Sequence, residues 1–138
     1  MEITKVVGER FEDYIVDWDY ETYLVIGGYG SGKSYETACK IILKCLSEKR
    51  KVLVLRNVFD TIYHSCYDLM SEILEDMNLL CTDRFDKRQA KTKVLKSKSP
   101  LGFSFPNGSK IIFKGLDDES KIKSINGISI VWVEEACA

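Results

Sequence analysis

The chain has no C-x-x-C pair, no apolar run long enough to cross a bilayer, no basic and apolar leader, no internal repeat, and a net charge of only −1. Each absence excludes something. Its five cysteines (Cys39, Cys45, Cys66, Cys81 and Cys137) form an odd set without ligand-like spacing. That argues against a zinc site and against a disulfide framework, and for buried reduced thiols. Without a leader or a span, the reading is a soluble protein of the cytoplasm with no membrane partner. The single histidine, His64, falls beside Tyr63 on a helical pattern and reads as a packing or solvent-facing residue, not a catalytic one. At 138 residues and 45% apolar, the chain is expected to form one domain with a real core. Its near-neutrality hides an asymmetry. Glu9, Glu12, Asp13, Asp17, Asp19 and Glu21 crowd residues 9–21, whereas Arg84, Lys87, Arg88, Lys91, Lys93, Lys96 and Lys98 face only Asp86 within residues 84–98.

What is present begins with Gly27-Gly28-Tyr29-Gly30-Ser31-Gly32-Lys33-Ser34, which fits the phosphate-binding pattern G-x-x-x-x-G-K-[ST] without a mismatch. At average usage its four fixed positions arise by chance roughly once in a few hundred chains of this length. The context fits as well. Tyr23-Leu24-Val25-Ile26 reads as a buried strand before the loop, and after Lys33 the apolar residues Ala38, Ile41, Ile42, Cys45 and Leu46 recur at helical spacing. A loop poor in Cβ atoms can turn several backbone N–H groups toward one anion, and the unsatisfied amides of a helix start add positive potential. Lys33 would then set its ammonium on the outer phosphates, and the Ser34 hydroxyl would take one corner of a magnesium octahedron.

The rest of the chain alternates strands and helices. Residues 3–7 read as a short strand, followed by an acidic, aromatic lead-in. Lys51-Val52-Leu53-Val54-Leu55-Arg56 reads as a strand buried on both faces. Asp60 is placed to cap a helix of about five turns whose apolar face is Ile62, Cys66, Leu69, Met70, Ile73, Leu74 and Met77. Phe103-Ser104-Phe105-Pro106-Asn107-Gly108-Ser109 leading into Ile111-Ile112-Phe113 reads as a hairpin, because Asn-Gly supplies positive φ angles. Residues 128–133 form a last apolar strand, with Trp132 in the core, that delivers Glu134 and Glu135 at its end. Neighbours on a strand point to opposite sides, so the two acids can take different tasks. Glu134 would hold magnesium, directly or through water, and Glu135 would polarise the attacking water. The guanine-reading Asn-Lys-x-Asp pattern is absent, which favours ATP. The fold expected is α/β, with a mainly parallel sheet flanked by helices and the phosphate loop at its carboxyl edge.

Several segments together resemble the large terminase subunit of tailed bacteriophages in its PBSX-like branch. They are the loop at 27–34, Val52 to Arg56 with Asn57-Val58-Phe59-Asp60-Thr61, Phe113-Lys114-Gly115-Leu116-Asp117-Asp118, Lys121-Ile122-Lys123-Ser124-Ile125, and Ile130-Val131-Trp132-Val133-Glu134-Glu135-Ala136. The resemblance implies a P-loop NTPase of the additional-strand, terminase- and RecA-like kind that packages double-stranded DNA into a capsid. It implies Glu134 as the metal-anchoring acid and Glu135 as the hydrolytic one. It also implies a small terminase subunit, a portal protein and a homo-oligomeric ring as partners. Tyr29 stands where the family often carries arginine. The family's coupling motif, a strand between the phosphate-loop strand and the acid-bearing strand, and a nuclease domain would all lie beyond Ala138, so the chain is expected to be the amino-terminal part of the ATPase.

Other residues carry two readings each. The basic run from Arg84 to Lys98 suits contact with a phosphate backbone, or is a solvated surface. Lys121 and Lys123 could touch DNA or nucleotide, or be ordinary surface lysines. Arg56 ends a strand on the side where ligands sit. Two rivals to the packaging motor stand: another P-loop ATPase of nucleic-acid metabolism, such as a helicase-like enzyme, and a nucleotide-binding remnant without turnover.

Overall fold

The computed structural model of the protein describes residues 4–7, 18, 22–25, 33–56, 66–115 and 125–133. Strand β1 (Thr4–Val7) pairs in parallel with β2 (Thr22–Val25), with Thr4 opposite Thr22 and Val7 opposite Val25. Helix α1 (Lys33–Ser47) follows, and a short turn leads into β3 (Lys51–Arg56). Then come α2 (Asp68–Asp76), α3 (Lys87–Thr92), β4 (Leu95–Lys98), β5 (Leu101–Ser104), β6 (Lys110–Gly115) and β7 (Ile130–Val133). A five-stranded sheet runs in the order β4-β5-β6-β3-β7.

That sheet is mixed, not mainly parallel as expected. β3 pairs in parallel with both β6 and β7, but β4, β5 and β6 are antiparallel neighbours. Short connections are the reason. Two residues separate β4 from β5 and five separate β5 from β6, whereas a parallel pairing needs a crossover of a dozen or more. The expected Asn107-Gly108 hairpin is the second of these turns, with Gly108 at φ 93°. The basic segment contributes more structure than a loop. Asp86 caps α3 by accepting from the backbone amides of Arg88 and Gln89, and residues 95–98 form the edge strand β4.

One face of the sheet carries the core. Ala38, Ile41, Ile42 and Cys45 of α1 and Cys66, Tyr67, Met70, Ile73 and Leu74 of the α2 region pack against Val52, Val54, Ile111, Phe113 and Phe103. Three rings lock the centre: Tyr67 stacks on Phe103 at 4.9 Å, and Phe113 meets both edge-on at 5.4 and 5.8 Å. Trp132 and Ile130 are only partly buried, yet they pack on this cluster. Leu46 and Met77, expected on apolar faces, are exposed instead. The expected five-turn helix is described from a wide turn at Cys66 and Tyr67 through α2. It stops where Asn78 takes φ 57° and the Leu79 amide returns to the Leu74 carbonyl. Asp60, Ile62, Tyr63 and His64 lie outside the described residues. The other face holds a smaller cluster of Leu53, Leu55 and Ile112, with Ile125 and Ile128 against it.

Candidate nucleotide site

Helix α1 is held at its far end, and that sets where it begins. Its last carbonyls would be orphaned, but the β5–β6 turn supplies donors. Asn107 Nδ2 donates to the Cys45 carbonyl at 2.7 Å, and the buried Ser109 hydroxyl lies 2.8 Å from that carbonyl and 2.9 Å from that of Glu48. The hydroxyl has one proton to share between them, and its oxygen accepts from the Arg50 amide at 3.0 Å. These bonds fix the end of α1 beside the amino ends of β3 and β6. At 1.5 Å per residue the start of α1 lies about 20 Å away, toward the carboxyl ends.

The sequence places the phosphate loop at the carboxyl edge of the sheet; among the described residues β2, which leads into that loop, pairs with β1 in a separate two-stranded sheet, so it is the acid-bearing β7 that reaches the carboxyl edge of the five-stranded one. β3, β6 and β7 end there at Arg56, Gly115 and Val133, with Arg56 opposite Gly115 and Val133 opposite Leu55. Lys33 is the first residue of α1 and Ser34, partly buried, the second. A 15-residue helix presents its positive end at this point. Val133, the last described residue, immediately precedes Glu134 in sequence. Gly27, Gly28, Tyr29, Gly30, Ser31, Gly32, Glu134 and Glu135 themselves lie outside the described residues, as do Lys121 and Lys123.

Two titratable groups of the first turns of α1, Cys39 and Tyr35, are shifted away from ionisation. Burial pushes the Cys39 thiol above its ordinary value, and the Tyr35 hydroxyl is raised chiefly by the neighbouring Cys39. Both groups therefore keep their protons at neutral pH. Further along, Lys40 is buried with its ammonium 4.2 Å from the centre of the Trp18 ring, and Lys44 reaches the same ring at 5.1 Å. This clamp ties Trp18 to α1. Sequence reading missed it, although two lysines four apart on a helix were the available signal. Among the described residues, no group of three or more His, Cys, Asp or Glu side chains could hold a metal ion. No described helix is long and apolar enough to cross a membrane.

In sequence, residues 20–138 match the family described as phage terminase large subunit. Over 134 residues the chain is 45% identical to the PBSX phage terminase large subunit of Bacillus subtilis (strain 168), an alignment covering 96% of this chain and 28% of that protein. It is 35% identical over 118 residues to the terminase large subunit of Bacillus phage SPP1, covering 82% of this chain and 25% of that one. The chain thus spans about a quarter of the length of these relatives. No solved structure matches it significantly.

Proposed function

Because the chain belongs to the phage terminase large subunit family, we propose that it is the amino-terminal part of a P-loop ATPase that drives double-stranded viral DNA into a capsid in the host cytoplasm. The observation that supports the reading is that β3, β6 and β7 end together at one edge of the sheet, with the two acids next in sequence after β7, while the phosphate-loop pattern runs into α1 at Lys33. The donor set suits magnesium and a triphosphate: an ammonium and a hydroxyl open a long helix, and two carboxylates directly follow β7, all hard ligands or phosphate partners. Lys33 holds the outer phosphates, with the amides of residues 27–32 around them. Ser34 and Glu134 are the magnesium ligands, and Glu135 orients and polarises the attacking water. Magnesium, when bound, neutralises charge that builds on the transferring phosphoryl group. The small terminase subunit, a portal and a ring of copies belong to the proposal for the whole protein.

Turnover of magnesium ATP by the 138-residue chain, beside its Lys33→Ala and Glu135→Gln variants, tests this. Glu135→Gln should lower kcat by about 10²- to 10⁴-fold with nucleotide binding kept, and Lys33→Ala should weaken binding itself. Turnover indifferent to both changes would sink the assignment. Binding without turnover in all three chains would favour a nucleotide-binding remnant.

A further inference from the structure

At the opposite, amino edge of the sheet, a cavity of about 410 Å³ is lined by Lys49, Arg50, Lys51 and Lys110 together with Gly108 and Gly127 and, among the described residues, by no carboxylate side chain. Three separate segments supply it: the α1–β3 turn, the β5–β6 turn and the approach to β7. Lys51 and Lys110 are register partners on the neighbouring parallel strands β3 and β6, so their side chains leave the same face about 4.8 Å apart. Like charges so placed destabilise a sheet. Arg50 is neutralised, since its guanidinium donates to Glu48 at 2.6 and 3.0 Å. Lys51 spends one donor on the Asn126 carbonyl at 2.7 Å. Lys49 and Lys110 make no side-chain hydrogen bond or ion pair among the described residues.

The two glycines make room for the lysine stems. Gly108 has φ 93° and Gly127 φ 78°; a Cβ at Gly108 would press to 3.0 Å from the Lys49 Cε, and one at Gly127 would touch the Lys51 Cδ at 4.0 Å. Repulsive ammonium groups kept together over glycine, with no acid of the described residues between them, suit an anion.

We infer that this cavity is a phosphate-contact site for the backbone of a nucleic acid, at the amino edge of the sheet and separate from the proposed nucleotide site. The inference rests on the DNA-handling part of the proposed function and assigns it a place. Lysine heads are point charges that contact phosphates without reading sequence. Their spread over three segments of an open cavity suits a chain of phosphodiesters better than one compact anion.

The test is binding of the 138-residue chain to a 30-base-pair duplex of arbitrary sequence, followed by fluorescence anisotropy across a salt series. Replacing Lys49 and Lys110 together by glutamine should weaken binding on the order of tenfold and lower the slope of log affinity against log salt by about 1.8, the release expected for two phosphate contacts. Arginine at both positions should restore binding, which a merely structural role would not require. Lys110→Glu should raise the thermal midpoint by relieving the Lys51 repulsion while weakening the duplex, which separates lost function from lost fold. An unchanged salt slope in the double variant, or no duplex binding by the parent chain, overturns the inference. So does inorganic tripolyphosphate that competes as well as the duplex at equal phosphate, because the site would then serve a compact polyphosphate. The two readings fail separately, since ATP turnover insensitive to Lys33 and Glu135 would leave this outcome untouched.

Discussion

Val52, Val54, Ile111 and Phe113 lie on one face of the sheet beneath α1 and α2, while their neighbours Leu53, Leu55 and Ile112 point the other way and meet only Ile125 and Ile128 among the described residues. On β7 the same alternation puts Ile130 and Trp132 on the helix-covered side and leaves Val131 and Val133 55% and 41% exposed. The strands are shared, so sequence composition alone does not separate the faces. What separates them is how many of the described elements close over each. The covered face holds the aromatic centre and therefore most of the stability. The thin face carries Lys51 and Lys110, so its changes should register in binding before they register in folding.

The sharpest way to break this comparison is to truncate one residue on each face. Phe113→Ala removes a fully buried ring from the trio with Tyr67 and Phe103 and should cost about 3–5 kcal/mol in urea unfolding. Leu55→Ala, beside fewer described neighbours that can hold a cavity open, should fall near the lower end for such changes, about 2 kcal/mol. Equal losses would mean that the faces are equally built. Next in size is Ser109→Ala, which strips the carbonyls of Cys45 and Glu48 and the Arg50 amide of a buried partner. A loss of about 1–3 kcal/mol is expected, with α1 fraying from its last turn in hydrogen exchange.

How much of this was legible follows from which signals are local. The periods of α1, β3 and the Asn107-Gly108 hairpin are written in adjacent residues and appear where the sequence puts them. Direction of pairing is not local. β4 read as part of a basic segment because Lys96 and Lys98 dominate its composition, although those lysines occupy the exposed positions of an alternating edge strand. Charged edges discourage further pairing, so the feature that hid the strand is also what suits it to an edge. At the candidate site, the glycine pattern and paired acids were legible as motifs, and the structure adds that β3, β6 and β7 end together at one edge, with Val133 the last described residue before the acids. The basic cavity was not legible, since Lys49, Lys51 and Lys110 come together only through the β3–β6 register.

Titration offers a gentler probe of the covered face. Burial pushes the Cys45 thiol up from the ordinary 9.0 to about 12. The folded protein therefore keeps this proton where the unfolded chain has lost it. Unfolding releases a proton in that window, so stability should be undiminished below pH 9 and should fall as pH rises from there toward 12. Cys45→Val keeps an apolar group of similar size and removes the thiol. Its unfolding free energy should depend less steeply on pH above 9 than that of the parent, while the two run parallel below. Parallel curves throughout would show that Cys45 ionises as freely in the folded protein as in the unfolded chain.

The smallest effect belongs to Val131→Lys. The valine already meets water over more than half its surface, so the change removes little burial, and surface substitutions away from special features usually stay within about 0.5 kcal/mol. Its neighbour Val133 is similarly placed, and the double change should still leave the unfolding midpoint close to the parent value. Phe113→Ala supplies the scale against which that small value is read. If Val131→Lys instead approached the cost of the core truncation, the thin face would have to be covered in solution. The asymmetry between the two faces would then belong to the isolated chain and not to the working protein.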